Sequence, residues 1–146
     1  MELSIYLAGE IHSNWRDEII QGIKSQQLPI TCYSPIIDHD ASDNVGEKIL
    51  GKEDTTFWKD HKSAKINGLK ITNGIEKADI VVVKFGLDYR QWNAAFDAGY
   101  AVAKGKSLIT IHPPDLTHAL KEIDATAKAT TENIDQVLEI LRYISN

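Results

Sequence analysis

Three side chains in the stretch Gln91–Ala103 (QWNAAFDAGYAVA) could do chemistry together. Asn93, Asp97 and Tyr100 recur at helical spacing, with Ala101 beside them, so an amide, a carboxylate and a phenol are predicted to share one stripe of a helix. Near the helix start, the positive end of the macrodipole is expected to lower the pKa of Asp97 and keep it ionised at neutral pH. Such a carboxylate suits a nucleophile, or a stabiliser of an oxocarbenium-like centre at a sugar's anomeric carbon. The competing reading is that Asp97 caps a loop or pairs with Arg90 or Arg16.

A second group lies near the amino terminus, where Tyr6 and Glu10 flank Gly9 and can bring a phenol and a carboxylate to one cleft. Tyr6 also fits a core aromatic whose hydroxyl is satisfied at the rim. His12 and Arg16, with Arg90 opposite, could hold a phosphate at a helix amino terminus, or line a solvated helix end. The five histidines form neither an i, i+4 helical pair nor an HExxH arrangement, so no metal site is expected. GxGxxG, GxxxxGK[ST] and GxSxG are all absent, which argues against a dinucleotide fold, a P-loop and a serine hydrolase. No cofactor is expected.

These residues need a scaffold, and the chain supplies alternating strand and helix signals. Leu3–Ala8 reads as a strand ending at Gly9, and a helix follows, capped by Ser13 or Asn14, with Ile19, Ile20 and Ile23 as its buried stripe. Pro29–Ser34 is a second strand. Ile36–Lys52, polar and rich in Asp, reads as a long loop with a short helical piece. Helices are expected over Asp54–Ile66, stopped by Gly68, and over Ile71–Lys77. The unbroken valine run within Asp79–Phe85 predicts a central strand covered on both faces. Gln91–Lys104 is the helix described first. Beyond it come a strand at Ser107–His112, a helix at Leu116–Ile123, an edge strand at Thr126–Ala129 and an amphipathic helix at Asn133–Ile144.

This order implies a three-layer α/β domain around a parallel sheet. In such sheets ligands bind beyond the carboxyl ends of the strands, which selects the loops Gly9–Ser13, Pro35–Asp43 and Gly86–Asn93. At 146 residues the chain is long enough for one domain, 1–146, with its own core. The net charge of -5, with both signs interspersed, gives no cationic field for a nucleic acid polymer or an anionic membrane. The single cysteine, Cys32, excludes a disulfide scaffold, and the amino terminus lacks a signal peptide pattern, so a cytoplasmic protein is expected.

The combination SIYLAGEIHSNWRDEI, EKADIVVVKFG, YRQWNAAFDAGYA and LKEIDATAKA closely resembles the YtoQ family of small bacterial proteins over essentially the whole chain. That family is in turn similar to the nucleoside 2-deoxyribosyltransferase superfamily. The resemblance implies a flavodoxin-like five-stranded parallel sheet and cleavage or exchange of N-glycosidic bonds. IYLAG matches the superfamily's first strand and the loop at the cleft, which places Tyr6, Gly9 and Glu10 there. NAAFDAGYA occupies the place of GxxxExGyA, so Asp97 stands where the nucleophilic glutamate stands. Asp97 is one methylene shorter, a difference of roughly 1.5 Å in reach. The superfamily's base-contacting aspartate falls on Ile71, with Lys70, Thr72 and Asn73 nearby.

The leading expectation is a nucleoside deoxyribosyltransferase or nucleotide N-glycosidase. Asp97 would be nucleophile or stabiliser, Asn93 and Tyr100 would orient it, and Tyr6 with Glu10 would contact the sugar. The alternative is a non-catalytic nucleotide or sugar-nucleotide binder in which His12, Arg16 and Arg90 hold phosphate. A third reading is a scaffold working through its oligomer interface. The resemblance also implies a homo-oligomer, with a dimer favoured and exposed aromatics such as Trp58 and Tyr89 at the interface.

Overall fold

A computed structural model describes residues 2–146. Its centre is a five-stranded parallel sheet in the order β2-β1-β3-β4-β5, with β1 at Leu3–Gly9, β2 at Ile30–Tyr33, β3 at Ile80–Lys84, β4 at Ser107–Ile111 and β5 at Ala129–Thr131. The chain runs from β1 outward to β2, then returns past β1 to β3, so strand order reverses between β1 and β3. That reversal opens a crevice at the carboxyl ends of the two strands. The five-stranded parallel α/β architecture agrees with the expectation.

Alternate residues of β1 face opposite layers. Ile5 and Leu7 enter a core with Trp15, Ile19 and Ile23 of helix α1 (Trp15–Ser25) and with Val137, Leu138 and Leu141 of helix α6 (Ile134–Ser145). On the other face, helix α4 (Trp92–Ala103) lies against β1, β3 and β4 and turns Ala94, Asp97, Ala98 and Ala101 inward. Covered on both sides, Val81, Val82 and Val83 are fully buried. Each such side chain contributes about 1.5–3 kcal/mol. This explains why β3 needs no polar alternation.

The chain divides into two compact units, Met1–Tyr33 with Ile75–Asn146, and Ser34–Gly74. The second unit departs from the expected long loop. Helix α2 runs over His39–Leu50, because Asp38 caps it by accepting a hydrogen bond from Ala41 N at 3.0 Å and Gly51 ends it. The expected stop at Gly68 is also absent, and a single helix α3 spans Thr56–Lys77. One glycine costs about 1 kcal/mol in a helix interior, less than the hydrogen bonds lost by breaking the helix. The two helices meet at Gly46, where an added Cβ would lie 2.5 Å from Lys62 Cβ. There Ser63 Oγ accepts from Gly46 N and donates to the Asp43 carbonyl, and Asn67 donates to Ser42.

Smaller shifts follow from local chemistry. Neither Ser13 nor Asn14 caps α1 through its side chain, and Asn14 is the cap residue by position alone. The segment after β4 forms a single 3-10 turn at Pro114–Leu116 and helix α5 at Lys121–Thr126. Asn133 caps α6 by accepting from Gln136 N.

Candidate active site at the carboxyl ends of the strands

The loop after β1 is built by close approach. Gly9 has φ +115°, and a Cβ added there would lie 2.1 Å from the Lys84 carbonyl oxygen, so only glycine lets β1 and β3 converge at this point. Glu10 N then donates to Lys84 O at 3.0 Å. Arg16, at the start of α1, fastens the same turn from beneath. Its Nε donates to Leu7 O, Nη1 to Glu10 O and Nη2 to Gly9 O at 3.0, 2.7 and 3.1 Å. Trp15 Nε1 donates to Glu10 O as well. Arg16 is buried, and burial lowers its pKa to about 10 against the pull of Glu10, Tyr6 and Asp97, so it remains charged at neutral pH.

Above this turn opens a cleft of about 340 Å³, with Glu10, Ser13, Lys84, Gly86, Gln91 and His112 among its lining. This volume suits one small molecule. The Glu10 carboxylate is buried and accepts from His12 N at 2.7 Å, from the Ser13 hydroxyl, and from Lys84 Nζ at 3.3 Å. Burial alone would raise its pKa. The Ser13, His12 and Lys84 contacts outweigh it and hold the group below the ordinary glutamate range. Gln91 braces the opposite wall by accepting from Gly86 N and donating to Asp88 O. At the far end, His112 Nε2 lies 2.7 Å from Asp124 Oδ2, and Nδ1 donates to the Pro113 carbonyl. Thr110 Oγ1 donates to the other Asp124 oxygen, which ties α5 to the end of β4.

A second polar cluster lies under α4. Tyr6 is fully buried and its hydroxyl has no hydrogen-bond partner among the described residues. The carboxylate of Asp97 is close enough to push the Tyr6 pKa further up, beyond what burial does. Asp97 is itself buried and makes no hydrogen bond among the described residues. Burial raises its pKa to about 7, and the charge of Arg16 only partly opposes this. The expectation of a depressed pKa is therefore overturned: desolvation is the dominant cause, and Asp97 stands in the second turn of α4, beyond the first turn where the helix dipole acts most strongly. Asp97 and Tyr6 are not among the residues lining the cleft. Glu10 connects the two regions, with its carbonyl on Arg16 and its carboxylate in the cleft.

The remaining candidates separate. Tyr6, Arg16 and Asp97 come together, and Gly9, Glu10 and His12 gather at the turn and the cleft. Asn93 is exposed. Tyr100 turns away from Asp97 and donates to Glu76 Oε1 at 2.5 Å, beside Lys104. Arg90 is exposed over the Trp92 ring, and Arg16 is occupied by three carbonyls where an anion was expected. His12 lies against Tyr89, with ring centroids 4.3 Å apart and the rings tilted by 33°. Lys84, Ser13 and Gln91 were missed. Lys84 had a signal, since it is the one charge closing an otherwise apolar strand.

Among the described residues no group of three or more His, Cys, Asp and Glu side chains could hold a metal ion. A larger hollow of about 610 Å³ lies along β5 and α6, lined by Thr130, Gln136, Glu139, Arg142 and Tyr143 among others. It is remote from the strand reversal and from the perturbed groups, so the smaller cleft is the stronger candidate.

A model of the family described as nucleoside 2-deoxyribosyltransferase YtoQ matches residues 6–145. The uncharacterized protein YtoQ of Bacillus subtilis (strain 168) is 49% identical over 144 residues, covering 99% of this chain and 97% of that protein. Among solved structures, a conserved protein from Enterococcus faecalis V583 aligns with TM-score 0.69 and 14% identity over 99% of both chains. The 2-deoxyribosyltransferase from Bacillus psychrosaccharolyticus aligns with TM-score 0.56 and 19% identity over 92% of this chain and 90% of its own. At these identities the two structures establish a common fold. The match over nearly the whole length, joined to the 49% identity with YtoQ, places this chain in the nucleoside 2-deoxyribosyltransferase YtoQ family.

Proposed function

We propose that the protein cleaves or exchanges the N-glycosidic bond of a nucleoside or nucleotide, acting at the anomeric carbon with Asp97 as nucleophile or electrostatic stabiliser. In the covalent form, a carboxylate oxygen of Asp97 bonds to the anomeric carbon as its bond to the base nitrogen breaks. The base departs with that electron pair and takes up a proton, and a second base or water then releases the sugar. The observation that carries this reading is a buried Tyr6 hydroxyl beside a buried Asp97 carboxylate, neither of them hydrogen-bonded among the described residues. Buried polar groups are rarely left so in a protein interior, and each costs stability unless a ligand uses it. Tyr6 and Glu10 are assigned to the sugar.

The test is base release by purified protein from a panel of nucleosides and nucleoside monophosphates. Release abolished by Asp97→Ala is the expected outcome. No release from any substrate, with unchanged binding in Asp97→Ala, overturns it.

One observation favours a second reading, a nucleotide or sugar-nucleotide binder without turnover. The cleft lining includes Glu10, His12 and Lys84 but neither Asp97 nor Tyr6. A ligand present at about 100 times its dissociation constant adds about 2.7 kcal/mol of stability. Such stabilisation without turnover selects the binder.

A further inference from the structure

Tyr89 stands in the loop 85–91, between β3 and α4, beside the reversal of strand order. Its φ is +65°, in the left-handed region that glycine and asparagine enter easily and a large side chain enters at a cost. Among the described residues other than glycine, only Gln27 shares a positive φ. Gln27 follows the last turn of α1 and donates its N–H to Lys24 O, at a place where helices ordinarily end in this conformation. Tyr89 follows no helix.

The loop around Tyr89 is held on both sides. The Gln91 side chain accepts from Gly86 N at 2.8 Å and donates to Asp88 O at 2.6 Å, which fixes the backbone that leads to Tyr89. A Cβ added at Gly86 would lie 3.6 Å from Glu10 Cγ, so the loop runs within van der Waals reach of the Glu10 side chain. Strained backbone persists where its surroundings dictate it, and such residues gather at ligand sites.

The strained conformation sets the position of one ring. Tyr89 lies against His12, and this contact joins the loop before α4 to the loop after β1. His12 N donates to the Glu10 carboxylate at 2.7 Å, so the ring pair begins one residue's span from the carboxylate assigned to the sugar. Burial does not account for the tyrosine. Its side chain is 72% exposed, and the fold gains little from apolar surface left in water.

We propose that Tyr89 is the surface on which the base of the substrate stacks, which rests on the reading of the protein as one that acts on a nucleoside or nucleotide. Such a substrate carries a flat heteroaromatic ring one bond from its anomeric carbon. A sugar seated at Glu10 therefore presents its base to the neighbouring loop, where Tyr89 offers a flat face of matching chemistry. Stacking reads ring area and tolerates different base edges.

Isothermal titration calorimetry of the full chain with adenosine, 2′-deoxyadenosine, cytidine and their 5′-monophosphates tests this, using the wild type, Tyr89→Phe and Tyr89→Asn, with a thermal melt of each. Phenylalanine keeps the stacking face. Asparagine removes it, fits a positive φ better than tyrosine, and adds no glycine-like backbone freedom to the unfolded chain. Tyr89→Phe is expected to bind within about threefold of the wild type, and Tyr89→Asn about tenfold or more weaker. Tyr89→Asn is also expected to melt no more than about 2 °C below the wild type. Weaker binding at retained stability marks a ring kept for a ligand. Unchanged binding in Tyr89→Asn, or an equal loss in Tyr89→Phe, overturns the assignment of Tyr89 and leaves the proposed function standing. A Tyr89→Asn that melts well below the wild type assigns the ring to the fold and overturns it too. A wild type that binds no member of the panel overturns both.

Discussion

Lys84 Nζ lies 3.3 Å from Glu10 Oε1, so a cation closing β3 meets a buried carboxylate just beyond β1 at the point where strand order reverses. Lys84→Met removes one of three groups that satisfy Glu10. The loss is expected to be about 1.5–3 kcal/mol in a urea melt, the worth of a hydrogen bond to a charged group. Glu10 is held below its ordinary pKa in the folded chain, so its stabilisation is complete above the ordinary glutamate range and lost as pH falls through the lowered value. Glu10→Gln should therefore flatten the acid limb of the stability profile.

Tyr6→Phe separates stability from activity. The hydroxyl it deletes is buried without a partner, and leaving such a group unsatisfied costs about 1–3 kcal/mol. The variant should be at least as stable as the wild type by thermal melt. If the hydroxyl serves the sugar or Asp97, base release falls at least about tenfold, roughly the loss of one hydrogen bond in the transition state. A variant that keeps full activity removes Tyr6 from the mechanism.

Asp97 gives two signatures with pH. Folded Asp97 keeps its proton up to about pH 7, while in the unfolded chain it ionises at the ordinary value of 3.8. The folded state therefore binds the extra proton between those values. The stability due to this group is full below the unfolded pKa and is lost as pH rises through about 7. At roughly 1.4 kcal/mol per pKa unit, the change is on the order of a few kcal/mol, and Asp97→Asn should abolish it in melts from pH 4 to 9. Activity has the opposite slope. With ionised Asp97 as the acting form, kcat/KM climbs with pH and levels off above about 7.

Gly9→Ala should be among the most damaging single changes. The added methyl group would lie 2.1 Å from a backbone carbonyl oxygen, and φ +115° disfavours any side chain, so both causes act together. A loss of about 3 kcal/mol or more is expected by chemical denaturation. A near-neutral melt would mean that the β1 and β3 ends can separate.

The alternation of apolar runs and helical periods was enough to establish the parallel sheet. Val81–Val83 identified a doubly covered strand, and the loops at the strand ends followed from that topology. The stretch around Asp97 was also legible, because an unusual run of small residues surrounds one carboxylate. The α2 and α3 helices were misread for a local reason. Asp38 looks like one more loop aspartate until its carboxylate is seen on Ala41 N, and Gly68 looks like a stop until the helix is seen to continue through it.

What sequence could not provide was direction and dielectric. Helical spacing put Asn93, Asp97 and Tyr100 on one stripe, yet a helix face spans a wide arc, and packing on β1, β3 and β4 buries Asp97 while leaving Asn93 outside and turning Tyr100 to Glu76. Lys84 and Glu10 are 74 residues apart and meet only because two parallel strands end side by side. The ionisation of Asp97 was decided the same way. The sequence showed a carboxylate near a helix start, whereas the depth at which the sheet buries it makes desolvation the larger effect and lifts its pKa to about 7.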